Sequence, residues 1–317
     1  MTFYLREGLK GMLFPSEVFL FMFLPFVLAI YYLVLRKHTK GKNIFLLVMS
    51  LLFYAYGEPK YVFLMLFMIL FHYFLGLCIE KYHSKWILVF MAIADICVLG
   101  YFKYLNFIVS IFTGNLNTFK IALPIGISFY TFQAISYVVD VYRGKGKVQT
   151  NFLNVGLYIS LFPQLIAGPI VRYETIEKEI ENRKETINDF CLGVTRFIIG
   201  LGKKVLLANK FAIVADAVFA GVKSGSTTNS FLFLWLGAIS YTLQIFFDFA
   251  GYSLMAIGTG NIFGVRLPDN FNKPFISKDI KEFWDRWHIS LSYWFRDFVF
   301  SRVIRRMIRN KRIKKAV

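Results

Sequence analysis

The sequence predicts an all-α fold, a polytopic transmembrane helical bundle. Three observations predict it. Of the 317 residues, 57% are hydrophobic and the mean hydropathy is +0.54, against about 45–50% apolar residues in soluble domains. The apolar residues gather into blocks close to the roughly 20 residues that a helix needs to cross the hydrocarbon core. Short basic clusters separate the blocks, as expected of repeated spans.

Val18–Leu35 carries no charge, Tyr61–Ile79 is interrupted only by His72, and Trp86–Phe102 holds the single Asp95. Ile121–Tyr142 holds only Asp140. Phe231–Gly264 runs 34 residues with Asp248 as its one charge, enough for a span followed by a second, broken one. Lys203 and Lys204 split Phe190–Ala220, while Ile44–Tyr56 and Tyr104–Phe112 are too short to cross straight. Phe152–Val171 is long enough but contains Pro163, Gly168 and Pro169, which predict a break. No cleavage site of small residues follows the first apolar run, so that run reads as a retained span. Residues 1–11 read as an extension ahead of it.

The net charge of +18 raises the question of nucleic-acid binding. The basic residues flank apolar blocks, however, and the positive-inside rule accounts for them. Arg36, Lys37, Lys40 and Lys42 form one cluster, Lys81 and Lys85 a second, and Arg143, Lys145 and Lys147 a third. Alternating crossings put all three on one side, the cytoplasmic one, with the N-terminus outside. Arg172–Asp189 is polar and repeats Ile176, Ile180 and Ile187 at helical spacing, predicting an amphipathic helix outside or along the membrane. The tail, 301–317, has eight Lys/Arg and no acid, with Val303, Ile304, Met307 and Ile308 on one face. It suits the headgroup region of an anionic phospholipid bilayer. Cys78, Cys97 and Cys191 are far apart and imply no disulfide framework.

Ionisable groups within apolar blocks are costly and are candidate functional sites. His72 lies mid-block without a local partner, and Asp95 is expected to pair with Lys103 or another helix. Asp140 is three residues from Arg143, which favours interfacial pairing. Gln244 and Asp248 are four apart and share a helical face. Glycines 251, 258, 260 and 264 permit close helix approach or a broken helix lining a cavity. Asp248 is open to a structural or a site-lining role.

The densest chemistry lies in Asp269–Phe300. Pro274 precedes a predicted helix with Ser277 as its N-cap and Asp279 and Glu282 near the first turn. On one continuous helix, Trp284, Asp285, Leu291 and Ser292 are the i±3 and i±4 neighbours of His288. A carboxylate and a hydroxyl beside an imidazole suit general-base work on a hydroxyl. A hydrogen-bonded structural histidine fits the same pattern. The chain lacks a GxSxG elbow, a Walker loop, a dinucleotide fingerprint and HExxH. Its four scattered histidines and three scattered cysteines make a local metal site unexpected.

Asn270-Phe271-Asn272, Glu282-Phe283-Trp284-Asp285-Arg286-Trp287-His288-Ile289-Ser290-Leu291-Ser292 and Trp294-Phe295-Arg296-Asp297 resemble the signature of the membrane-bound O-acyltransferases. The similarity is to the bacterial branch that handles alginate acetylation and teichoic-acid D-alanylation. Met12–Leu24, Leu123–Arg143, Phe162–Tyr173 and Phe247–Gly258 extend it, so it runs from about Met12 through 300. The resemblance implies a ring of tilted and broken helices around a central pore. An acyl donor, acetyl or an acyl-carrier thioester, would deliver its group from the cytoplasmic side to a polymer hydroxyl outside. No bound cofactor is implied. His288 matches the first of two family histidines. Asp285 and Ser292 would orient it, with Trp284, Asp248, Gln244 and Asn272 lining the passage. No histidine follows His288, so the resemblance also implies a piece of a longer product.

Segments Asn272–Phe275 and Phe298–Arg302 look more like the D-alanyl type, and Leu123–Tyr173 more like the alginate type. The implied setting is the bacterial cell membrane, with a cell-envelope polysaccharide acceptor and soluble acyl-carrier and extracytoplasmic acyltransferase partners. A polymer transporter and a non-catalytic membrane scaffold are the competing classes. Buried acids and Gly/Pro breaks fit a transporter equally, whereas the Trp-His-x-Ser cluster favours chemistry.

Overall fold

The computed structural model describes residues 12–36, 38–114, 119, 121–224 and 230–300. The proposed extension (1–11) and basic tail (301–317) lie outside them. Every named element among the described residues is helical. We label these α1 Val18–Val34, α2 Thr39–Gly57, α3 Val62–Tyr82, α4 Lys85–Thr113, α5 Ile127–Tyr142, α6 Phe152–Ser160, α7 Tyr173–Asn182, α8 Ile187–Ser224, α9 Phe231–Ile262, α10 Ile280–Arg286 and α11 Ile289–Trp294. Four of them, α3, α4, α8 and α9, are long and apolar enough to cross a membrane. The chain is a polytopic protein of the plasma membrane.

Side-chain caps start the helices where the sequence changes character. Ser84, Asn151, Thr186 and Ser230 each accept a backbone N–H at the head of α4, α6, α8 and α9. The expected breaks are fewer than the composition suggests. Trp86–Phe102 and Tyr104–Phe112 fuse into α4 through a π-helical turn, Gly100–Tyr104. Lys203 and Lys204 do not split α8: a second π-helical turn, Lys203–Ala208, carries them, and Lys204 Nζ meets Asp248 at 2.8 Å. An ion pair removes the need to interrupt the helix around a lone charge. Phe231–Gly264 likewise forms one helix ending at Ile262 rather than a span and a broken partner. The Phe152–Val171 break is present, between α6 and the single turn Phe162–Leu165.

The glycines of α9 serve close packing. A Cβ on Gly258 would lie 2.6 Å from the Gly193 carbonyl oxygen, and one on Gly251 2.8 Å from that of Gly200. Both pairs repeat at seven residues, two turns, so α8 and α9 run antiparallel with their backbones in contact. Without a hydrophobic driving force between helices in lipid, such approach is a main source of association.

His72 and Asp95 find each other. His72 Nε2 lies 3.2 Å from Asp95 Oδ2 and its Nδ1 2.9 Å from the Met68 carbonyl. Both residues are buried, between α3 and α4. Lys103 turns instead to Ser128 Oγ at 3.1 Å. A carbonyl only accepts, so Nδ1 carries a proton. The Asp95 carboxyl is then the partner of Nε2. Asp95→Asn is expected to keep a donor to Nε2 and near-normal stability. Asp95→Ala leaves Nε2 unpaired and costs about 1–3 kcal/mol. Denaturation in detergent micelles measures both, and equal losses would contradict the dyad.

The three basic clusters gather at one end. His83, between α3 and α4, stacks on Tyr142 at 4.8 Å. Helix α7 lies across this end, receiving the Lys147 N–H on Glu177 and the Asn43 amide on the Ile180 carbonyl at 2.8 Å. Ile176 and Ile180 are its buried face, as expected, but Ile187 belongs to α8 and is exposed. Asp140 is buried here, while the Arg143 guanidinium reaches the Asp297 carbonyl at 3.1 Å.

Candidate active site

After α9, Gly264 turns the chain in the left-handed region at φ +71°, and the following segment runs back along the helix. Leu267 lies against Gly260, Phe271 against Phe249 at 5.0 Å and Phe275 against Phe246 at 5.0 Å. This backbone is not helical, so its polar groups need other partners. They find them in residues 286–289. The Asn272 N–H donates to the Arg286 carbonyl at 2.9 Å and the Ile289 N–H to the Asn270 carbonyl at 3.0 Å. Phe271 and Trp287 thereby form an antiparallel bridge.

The bridge fixes the signature. Asp279, not Ser277, caps α10, accepting the Glu282 N–H at 2.8 Å, while Glu282 accepts the Lys278 N–H. Ser277 Oγ bonds the Pro274 carbonyl instead. Helix α10 stops at Arg286, Trp287 is extended, and His288 takes φ +45° as it opens α11. A non-glycine residue held there stores about 1–3 kcal/mol, a feature that clusters at functional sites.

The shared helical face that set Trp284, Asp285 and Ser292 beside His288 therefore does not exist. Trp284 and Asp285 are exposed on α10, and Ser292 Oγ points its hydroxyl to the Trp287 carbonyl at 3.4 Å. Asn272 is exposed and contributes its backbone to the bridge. Asp248 pairs with Lys204. Gln244, one turn earlier, has a buried side-chain oxygen without a partner among the described residues.

His288 itself is buried. Phe249 of α9 packs edge-on at 4.7 Å, with Phe129 of α5 at 6.3 Å and Phe271 at 6.4 Å. Phe249 is 13 residues before the end of α9, about 20 Å along the helix from the basic end. His288 belongs to no spanning helix. Burial pushes its pKa down to about 4, because an imidazolium loses its hydration among aromatic rings. It is uncharged at neutral pH.

The partner of His288 is one the helical pattern missed. Nδ1 lies 3.1 Å from Asn270 Oδ1, 18 residues away. Asn270 stood in the signature, but only the return of the chain along α9 brings it to the imidazole. Ser290 donates to the same oxygen through its N–H at 3.2 Å and its hydroxyl at 2.9 Å. Its Oγ in turn accepts the Ile170 N–H at 3.0 Å, from the connection before α7. Trp294 anchors α11 to α5, donating to Ser136 Oγ at 2.9 Å. Arg172 ion-pairs with Asp297 beyond it. Among the described residues no group of three or more His, Cys, Asp or Glu is placed to hold a metal ion.

These features define a multi-pass helical membrane protein with a buried, neutral histidine on a strained, bridged connection. The chain belongs to the membrane-bound O-acyltransferase family, whose model matches residues 147–316. It is 42% identical over 303 residues to the probable alginate O-acetylase AlgI of Pseudomonas aeruginosa, covering 91% of this chain and 56% of that protein. It is 34% identical over 328 residues to a peptidoglycan O-acetyltransferase of Helicobacter pylori (91% and 61%). It is 37% identical over 193 residues to the teichoic acid D-alanyltransferase of Bacillus subtilis (60% and 48%). The chain thus spans little more than half the length of the curated O-acetyl relatives.

Proposed function

We propose that the protein transfers an acyl group, acetyl first, to hydroxyls of an exported or cell-surface polysaccharide at the bacterial cell membrane. The observation that carries this reading is the buried, neutral His288, whose Nδ1 lies 3.1 Å from Asn270 Oδ1. The acceptor hydroxyl oxygen forms the ester bond to the acyl carbon as the thioester C–S bond breaks. Its proton passes to Nε2 and on to the leaving sulfur. A site that disfavours imidazolium releases that proton readily. Acetyl is preferred over D-alanyl because the match to O-acetyl relatives covers 91% of the chain, against 60% for the D-alanyltransferase. Alginate-like polymers are the first acceptors to try.

On this reading α8, α9 and the re-entrant connection form part of a wall around a central passage, with Gln244 and the Lys204–Asp248 pair on it. The donor is an acetyl or acyl-carrier thioester brought by a soluble partner, and the product passes to an extracytoplasmic acyltransferase or directly to the polymer. The test supplies isotope-labelled acetyl donor to membranes carrying the protein and follows label into polymer. Label esterified to polymer supports the reading. Polymer movement without esterification assigns the protein to transport instead.

A further inference from the structure

His288 is held by an amide rather than a carboxylate, and the donors around that amide leave one assignment. The Ser290 N–H can only donate, and it reaches Asn270 Oδ1 at 3.2 Å. The amide oxygen, not its NH2, therefore faces Ser290 and the imidazole. Ser290 Oγ accepts the Ile170 N–H at 3.0 Å, which directs its own proton to Asn270 Oδ1 at 2.9 Å. An acceptor 3.1 Å from Nδ1 requires a proton on Nδ1. The ring nitrogen that stays unprotonated is set by the bond the other makes.

We infer that Asn270 is the positioning residue that fixes the Nδ1–H tautomer of His288, with Ser290 orienting the Asn270 amide, so that the lone pair is held on Nε2. The catalytic meaning of this rests on His288 being the base. Choice of an amide follows from the surroundings. Phe129 from α5, Phe249 from α9 and Phe271 from the connection face the ring and carry no charge. A carboxylate at position 270 would stabilise imidazolium and hold the proton that the reaction must pass on.

The tautomer is read directly by ¹⁵N NMR of histidine-labelled protein in nanodiscs, with the His288 signals identified by their loss in His288→Asn. The wild type is expected to carry its proton on Nδ1. Asn270→Ala should move it towards Nε2 and lower acyl transfer about 10–100-fold, as losing an orienting partner does at metal-bound histidines. Ser290→Ala should act in the same direction more weakly. Asn270→Asp keeps the acceptor but should raise the His288 pKa, moving the acid limb of the pH–rate profile upwards from about 4. A wild-type proton on Nε2 would overturn the inference. So would Asn270→Ala that loses activity with the proton still on Nδ1, since Asn270 would then be only structural. If His288→Asn keeps full transfer, the base reading fails, and the spectra still decide whether Asn270 sets the tautomer.

Discussion

Removing the imidazole of His288 is expected to lower acyl transfer by about 10²–10⁴-fold, the usual contribution of a positioned general base. Two variants make the result interpretable. His288→Ala deletes the proposed base but also empties a site packed by Phe249 at 4.7 Å and places alanine at φ +45°. His288→Asn is the sharper probe, because asparagine tolerates the left-handed region. Its side-chain amide also offers a donor to Asn270 Oδ1. It should fold and insert normally while losing transfer, as measured by label in polymer at equal membrane abundance. Normal acylation by His288→Asn would remove the site assignment. Neutral pH suits the wild type because burial keeps the ring uncharged. The sign follows from the lowered pKa: between the ordinary histidine value of 6.5 and about 4 the unfolded chain takes up a proton that the folded one refuses. His288 therefore contributes stability above that window and loses it as pH falls through it.

The second large effect is structural. Gly258→Leu is expected to abolish accumulation of folded protein. A Cβ there already meets the Gly193 carbonyl oxygen at 2.6 Å and the Phe197 nitrogen at 2.7 Å, both backbone atoms that cannot swing aside. Overpacking of this kind costs about 1–3 kcal/mol where side chains yield, and more where they do not. The clash must separate α8 from α9. That also disturbs the Gly200–Gly251 contact two turns away and the Lys204–Asp248 pair beside it. The effect therefore spreads to Phe249, and through it to His288. Gly202→Ala is the control. It lies in the partner helix α8 with no described atom within 4 Å of its added Cβ, and glycine-to-alanine there should be neutral or stabilise by about 0.5–1 kcal/mol. Thermal unfolding and size-exclusion profiles in detergent separate the two. A Gly258→Leu protein that elutes and melts like the wild type would show that the backbones are not in contact.

Much of this was legible along the chain. Apolar blocks marked the spans, Pro163, Gly168 and Pro169 marked the interruption after α6, and Ile176 and Ile180 gave the buried face of α7. The signature marked the candidate site. What misled was the assumption of unbroken local geometry. Helical spacing put Asp285 and Ser292 beside His288, but Trp287 leaves the helix to pair with Phe271. Lys203 and Lys204 looked like a break because their compensating charge, Asp248, lies on another helix.

The sequence by itself determined that this is a helical membrane protein, which end is basic, and which histidine lies in the family signature. Those properties are written in composition and in periodicities of a few residues. Tertiary structure alone decided the partners: His72 with Asp95, Lys204 with Asp248, Gly193 with Gly258, and Asn270 with His288. Each joins residues 18 or more apart. No local pattern encodes such a meeting, because it depends on where a chain turns back and how closely two backbones approach.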